Sequence, residues 1–456
     1  MLLTRTLSLT LLVAAGFALL PNGPVATARQ PAKDEFPKKS PNYNDVSTFK
    51  AAPGITPAEM KRAKDAFAGF AQYNAEYIAL PRLYTAPQEF APVTSKTGEP
   101  IATTDSLIGE LYRHILVPVP GSQVKPANAD YIRELGAALD GALKDVINNN
   151  GERVVRVNAA RMLATACRSG AAAHYPTVTA LVSNANTPPE VKYYAFQAAA
   201  NLLAAYDIND YRTRAHSGKA NEVGDLIAAL QDAIVRPNAI LAAPAPLPPD
   251  QLQVVGFIRR QAVRALAQVR YSDKVPGGAS LYPAFTLARV AVSDPAIVPA
   301  PGPSEIADAV MGICNMSPPT APPGAAEPYA YAMADAVATG VVAFATPRSR
   351  NRDDKSVAWR GTAAKLSEAL KAWRGPFDPG FNPAAPTAFV PAAVPAVVNV
   401  VVAEAERQVL TPMDGTAGKI NVDGLTKYRD GVLRADKKWT LAPFRDNPKL
   451  VLPNSK

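Results

Sequence analysis

Residues 153–162 read "RVVRVNAARM" and residues 356–366 read "SVAWRGTAAKL". Both place an arginine three residues before an Ala-Ala pair, follow the pair with a second cation, and then bring a large apolar side chain. Working outward from the Ala-Ala step, "AARMLA" from Ala159 aligns with "AANLLA" from Ala199, "AVRALA" from Ala262, "AVMGIC" from Ala309 and "AAKLSE" from Ala363. The steps are 40, 63, 47 and 54 residues. Each block carries alanine or aliphatic residues at helical spacing and follows another amphipathic stretch, so each unit is expected to be a helix pair. The expected first helices span 130–148, 175–184, 222–235, 281–292 and 327–344. A single pair cannot bury its own apolar stripe, whereas neighbours stacked in a row bury a continuous core.

The composition agrees with helices and disfavours strands. The chain of 456 residues is alanine-rich with 7% aromatic residues. Alanine is the best helix former, loses no side-chain entropy on burial, and lets helix axes approach closely. The 44 prolines gather in "APAPLPP", "VPAPGPS" and "SPPTAPPG". Proline lacks the amide hydrogen and fixes its backbone, so these runs read as extended loops between repeats. Two insertions, "YDINDYRTRAHSGK" at 206–219 and "PNAILAAPAPLPPD" at 237–250, enlarge the longest step. The first, around 207–216, is a candidate contact loop because long loops carry function more often than the elements they join.

In these blocks the second helix opens on an apolar-cation step: Val155-Arg156, Val191-Lys192, Ile258-Arg259 and Trp359-Arg360. Together with the alanine-rich segment that follows, this resembles the HEAT-repeat family over about 130–375. The resemblance implies an all-α, right-handed α-solenoid of about five HEAT-like helix pairs, with proline-rich loops and irregular terminal extensions. It also implies a ladder in which each repeat cation meets an acidic residue of a neighbouring repeat. No aspartate stands regularly five residues before each cation in this sequence.

Outside the array, residues 1–28 carry one cation, Arg5, ahead of an apolar run from Leu7 to Leu20, then Pro21 and small residues at A-x-A spacing, Ala26 and Ala28. That is the pattern of a cleavable export signal. The run is shorter than the roughly 20 residues needed to cross a bilayer, so no membrane span is expected after cleavage. The mature chain is expected in a periplasmic or extracellular compartment. Residues 29–55 read as a polar linker and 56–129 as an N-terminal helical cap region. Within that region, residues 56–80 have Thr56 as cap, Pro57 at the first helical position and Glu59 at the capping-box position, and so form a helix. Residues 376–410 combine a proline-rich segment with a last helix, and 411–456 read as a basic tail of little periodicity. The two cysteines, Cys167 and Cys314, sit among alanines and aliphatics several repeats apart and are read as unpaired buried thiols.

Chemistry leaves few marks. His114, His174 and His216 are far apart and have no metal-type neighbour at helical spacing, so they are read as surface or loop side chains and no metal is expected. Metalloprotease, haem-attachment and hydrolase-elbow motifs are missing, and no cofactor is expected. "DGTAGKI" at 414–420 has Ile420 where a phosphate loop needs Ser or Thr. "DIND" at 207–210 and "NVDG" at 421–424 read as turns in which Asn and Asp cap their own backbone. An exported α/α-toroid glycosidase or lyase would require facing carboxylates and aromatic sugar platforms. Only Trp359, Trp373 and Trp439 are present, and the first two lie in or beside a repeat helix as expected of packing residues.

What remains is the polar face of the second helices. Arg161, Asn201 and Arg264 follow the Ala-Ala step; Gln197 and Arg260 stand one turn before Asn201 and Arg264; Arg153 lies on the same face as Arg161. Stacked in parallel register, these residues would line a groove rich in hydrogen-bond donors. The excess of Lys and Arg over acids is +9, or +8 without Arg5. The expected function is therefore an exported, non-catalytic binding scaffold for a protein partner. An anionic-polymer binder, taking envelope polysaccharide or nucleic acid, is the alternative, and the toroidal enzyme is the third reading.

Overall fold

Alanine at the aligned step decides how closely the helices pack. Ala159, Ala199, Ala262, Ala309 and Ala363 are all buried, as are Met162, Leu202, Ala265 and Leu366 three residues further on. The computed structural model describes residues 37–52, 54–80, 103–115, 129–205, 221–236, 240, 247–270, 283–316, 326–351, 353, 355, 357–373, 393–413 and 419–434. The expected export signal, the 207–216 loop, "SPPTAPPG", Trp439 and His216 lie outside the described residues. Among those described the chain is helical, with no strand.

In order, the helices are α1 (Asp45–Ala51), α2 (Met60–Ile78), α3 (Thr104–Ile115), α4 (Ala129–Asn149), α5 (Arg153–Ala166), α6 (His174–Ser183), α7 (Pro189–Ala204), α8 (Asn221–Val235), α9 (Pro249–Leu266), α10 (Pro283–Ala291), α11 (Pro303–Cys314), α12 (Ala326–Arg350), α13 (Trp359–Trp373), α14 (Ala393–Ala405) and α15 (Asp423–Tyr428). Each expected first helix is present within a few residues of its expected bounds, apart from α12, which runs on to Arg350. Prolines open α7, α9, α10 and α11, the position where a missing N–H removes nothing the helix could use. Ahead of α2, the Thr56 amide and hydroxyl both donate to Glu59 Oε2, at 3.1 and 2.6 Å, so the glutamate half of the expected capping box is made.

The chain divides into two compact units. The first comprises Met1–Thr177, Pro188–Ala198 and Ala243–Phe257. In it α2 packs on α4, α4 on α5, and α3 on α5, while α1 lies on α2 and α3. Each helix thus packs on helices close to it in sequence. Phe67, Phe70, Tyr131, Leu135, Leu139 and Leu163 fill its interior.

The second unit comprises Val178–Thr187, Ala199–Ala242 and Ile258–Lys456. Here α8 meets α10 and α10 meets α12 in one layer, α11 meets α13 in the other, and α10–α11 and α11–α12 join the layers. α12 is long and apolar enough to cross a membrane, but 72% of its apolar window is buried, as in a core helix. Within the segment read as a basic tail, α15 and the π-helical turn Arg429–Leu433 bury Leu425 and Leu433, and α15 packs against α12 and α14. Two buried leucines in so short a segment give no readable helical period, which is why the sequence conceals it.

Close approach is written into one glycine of this unit. A Cβ on Gly312 of α11 would stand 2.6 Å from Ala267 Cβ, 3.0 Å from its Cα and 2.7 Å from Leu287 Cδ1. Backbone cannot yield there as a flexible side-chain tip can. Gly312→Val is expected to lower stability by about 1–3 kcal/mol despite valine's better helix propensity, read as an earlier urea midpoint. A midpoint equal to wild type would mean α11 does not pack this tightly.

Candidate functional site

The second helices position the candidate residues because their alanine stripe faces inward and turns the opposite side to solvent. The apolar-cation steps themselves lie inside: Val155, Val191, Ile258 and Trp359 are buried, and so are the cations Lys192 and Arg259. Arg156 is half-buried and donates Nε–H to Ile147 O at the end of α4, 2.7 Å away; desolvation lowers its pKa. Arg259 is 1% exposed and makes a two-pronged pair with Glu305 of α11, Nε to Oε1 at 2.8 Å and Nη2 to Oε2 at 3.1 Å. Its Nη1 donates to Pro299 O at 2.8 Å. Glu305 Oε2 also accepts the Gly302 N–H at 2.9 Å, so one carboxylate caps α11 and neutralises Arg259.

In the first unit, Arg161 pairs with Asp105 of α3 at 2.8 Å. Two turns further along α3, the Arg168 guanidinium, in the 3-10 turn Cys167–Ser169 that continues α5, lies 5.2 Å over the Tyr112 ring. Both rungs join residues 56 apart, so α3 and α5 run parallel and in register. Arg153 pairs with Glu190 of α7, whose Oε2 is buried with no hydrogen-bond partner. Burial raises the Tyr194 phenol pKa, and the positive charge of Arg161 offsets part of that rise. Tyr193 stacks on exposed Phe257 with ring centres 5.7 Å apart and planes 7° from parallel. Gln197 is half-buried on α7.

In the second unit, Asn201 is half-buried and is not without a partner. Arg260 and Arg264 of α9 both donate Nε–H to Asp308 Oδ2 of α11, at 2.6 and 2.9 Å. Thus Arg153 and Arg161 share one unit with Gln197, and Arg260 and Arg264 the other with Asn201. All four arginines meet a carboxylate on another helix.

The sequence reading missed Asp105, Glu190, Glu305 and Asp308, because it looked for an acid ahead of the cation in the same repeat. The available signal was the acid next to a helix-opening proline, Pro189-Glu190 and Pro303-Ser304-Glu305, in the repeat that follows. Tyr193 and Phe257 had no sequence signal beyond being aromatic.

His174 corrects an expectation: it is fully buried rather than a surface or loop side chain. Its Nδ1 stands 3.1 Å from Asp140 Oδ1, and Thr177 Oγ1 donates to Asp140 Oδ2 at 2.7 Å. Gly136, one turn before Asp140, leaves room for Ala171; a Cβ there would lie 2.3 Å from Ala171 Cβ. No group of three metal-ligating side chains is found among the described residues. Both cysteines are free and buried, and desolvation raises each thiol's pKa. Asn421 Oδ1 accepts the Asp423 N–H at 3.0 Å, the turn chemistry expected of "NVDG". No known protein family, curated protein or solved structure matches the chain.

Proposed function

We propose that this chain is an exported, non-catalytic HEAT-like scaffold whose second helices bind a protein partner. The observation that carries the reading is the pairing of Arg153, Arg161, Arg260 and Arg264 with Glu190, Asp105 and Asp308. A polyanion binder gains affinity by releasing counterions from unpaired cations along its track. Arginines already facing carboxylates offer little of that term, but the pairs hold them in defined orientations, and the aromatic side chains of Tyr112 and Phe257 are exposed. Oriented arginine, tyrosine and other aromatic side chains are the residue types enriched at protein interfaces. The toroidal-enzyme reading loses support because Trp359 and Trp373, two of its three candidate sugar platforms, are buried.

Affinity capture from the native envelope fraction with the mature chain tests this. A specific protein is expected to be retained across a salt series, with Phe257→Ala weakening capture by roughly tenfold. The double reversal Arg161→Glu/Arg264→Glu separates the readings. Under the scaffold reading the retained species is a protein and binding falls with a shallow salt slope. Retention of polysaccharide or nucleic acid, with a steep slope that collapses in the double variant, would replace the scaffold by the polymer binder.

A further inference from the structure

Around Asp308 the charges do not balance. Arg259 is matched one to one by Glu305, but Arg260 and Arg264, one turn apart on α9, both rest on the single oxygen Asp308 Oδ2. The Asp308 side chain is 8% exposed, whereas those of Arg260 and Arg264 are 27% and 46% exposed. The carboxylate therefore lies beneath and the two guanidinium groups lie at the rim. Two cations on one anion leave a net charge of one at a half-exposed position. Each arginine is engaged through Nε, and among the described residues neither uses its Nη groups in a further bond.

We propose that Arg260 and Arg264 form a docking site for one carboxylate, an aspartate or glutamate side chain of a protein partner; this rests on the scaffold reading and names the chemistry of its contact. Guanidinium is a planar fork of donors that fits a carboxylate edge. Anchoring Nε on Asp308 fixes both forks before the partner arrives, so less side-chain freedom is lost on binding. Charge selects among anions. One excess positive charge is balanced by a single carboxylate, which a flexible acidic peptide can offer while its other charges stay in solvent, whereas a phosphate near −2 or a densely sulfated polymer brings a second negative charge up against Asp308. The same acid that orients the arginines thereby discriminates against ligands whose charge is concentrated at the contact.

The test uses the full mature chain, with the arginine Nε–H signals followed by NMR during titration with an acetylated hexaglutamate amide, its hexaglutamine counterpart, inorganic phosphate and heparin. Saturable shifts of the Arg260 and Arg264 signals are expected with hexaglutamate and none with hexaglutamine. Arg264→Gln should weaken hexaglutamate binding by about tenfold or more, while Lys365→Gln, the same charge change at an exposed position of α13, should leave it unchanged. Asp308→Asn should shift the preference toward phosphate. Equal losses in Arg264→Gln and Lys365→Gln, or tighter binding of phosphate or heparin than of hexaglutamate by the wild type, overturn the proposal. If a protein is captured equally well by wild type and Arg264→Gln, the site fails and the scaffold reading stands. If hexaglutamate binds as described but no protein is captured, the scaffold reading fails and the carboxylate site stands.

Discussion

Arg259→Met is expected to remove about 3–5 kcal/mol of unfolding free energy, a large share of the roughly 5–15 kcal/mol that holds a domain folded. The loss is not the worth of the ion pair. With the guanidinium gone, Glu305 keeps its charge in a site 5% exposed, and the Pro299 carbonyl loses its donor. Desolvated carboxylate without a counter-charge is the expensive species. Glu305 also accepts the Gly302 N–H at the start of α11, so Glu305→Gln, which keeps an acceptor there, is the proper partner for a double-mutant cycle. The double variant Arg259→Met/Glu305→Gln should be more stable than Arg259→Met alone, because no buried charge is left over. Urea midpoints for the four proteins measure this. A cost below about 1 kcal/mol for Arg259→Met would place the side chain in water rather than between α9 and α11.

Lys192→Met should act in the opposite direction and stabilise the fold. Lys192 is fully buried, and desolvation pushes its pKa down from 10.5 to about 8. Below pH 8 both folded and unfolded chains hold the proton, so the cost of burying the ammonium is felt in full. Between about 8 and 10.5 the folded chain has released the proton while the unfolded chain still binds it, and stability rises with pH across that window. At 1.36 kcal/mol per unit the cost near pH 7 is about 3 kcal/mol. That figure is a ceiling for Lys192→Met, since Lys192 is not without a partner that methionine cannot replace. Thermal unfolding at a series of pH values should show a higher melting temperature for the variant near pH 7 and convergence with wild type toward pH 10. A variant less stable than wild type at pH 7 would show that the ammonium's contacts outweigh its desolvation.

These two predictions concern the same motif position, and they show how differently it is satisfied. The sequence presents Arg156, Lys192 and Arg259 as equivalents. In the fold Arg156 caps a helix end through a carbonyl, Lys192 is buried with a depressed pKa, and Arg259 is clamped by a carboxylate. Of the ladder implied by the repeat resemblance, the Arg259–Glu305 rung is present, with its acid on the second helix of the block that follows.

Helix periodicity and the buried alanine step were legible in the chain alone, because each is set by local geometry, a side chain every 100° of turn. That Arg153, Arg161, Gln197, Asn201, Arg260 and Arg264 each stand away from the buried stripe of their own helix was legible for the same reason. Which carboxylate meets which arginine was not, since Asp105, Glu190, Glu305 and Asp308 reach their partners from 37 to 56 residues away. Such pairings depend on the register in which separate helices stack. Packing also took His174 inside and made α15 a covered helix, through contacts that no local period encodes.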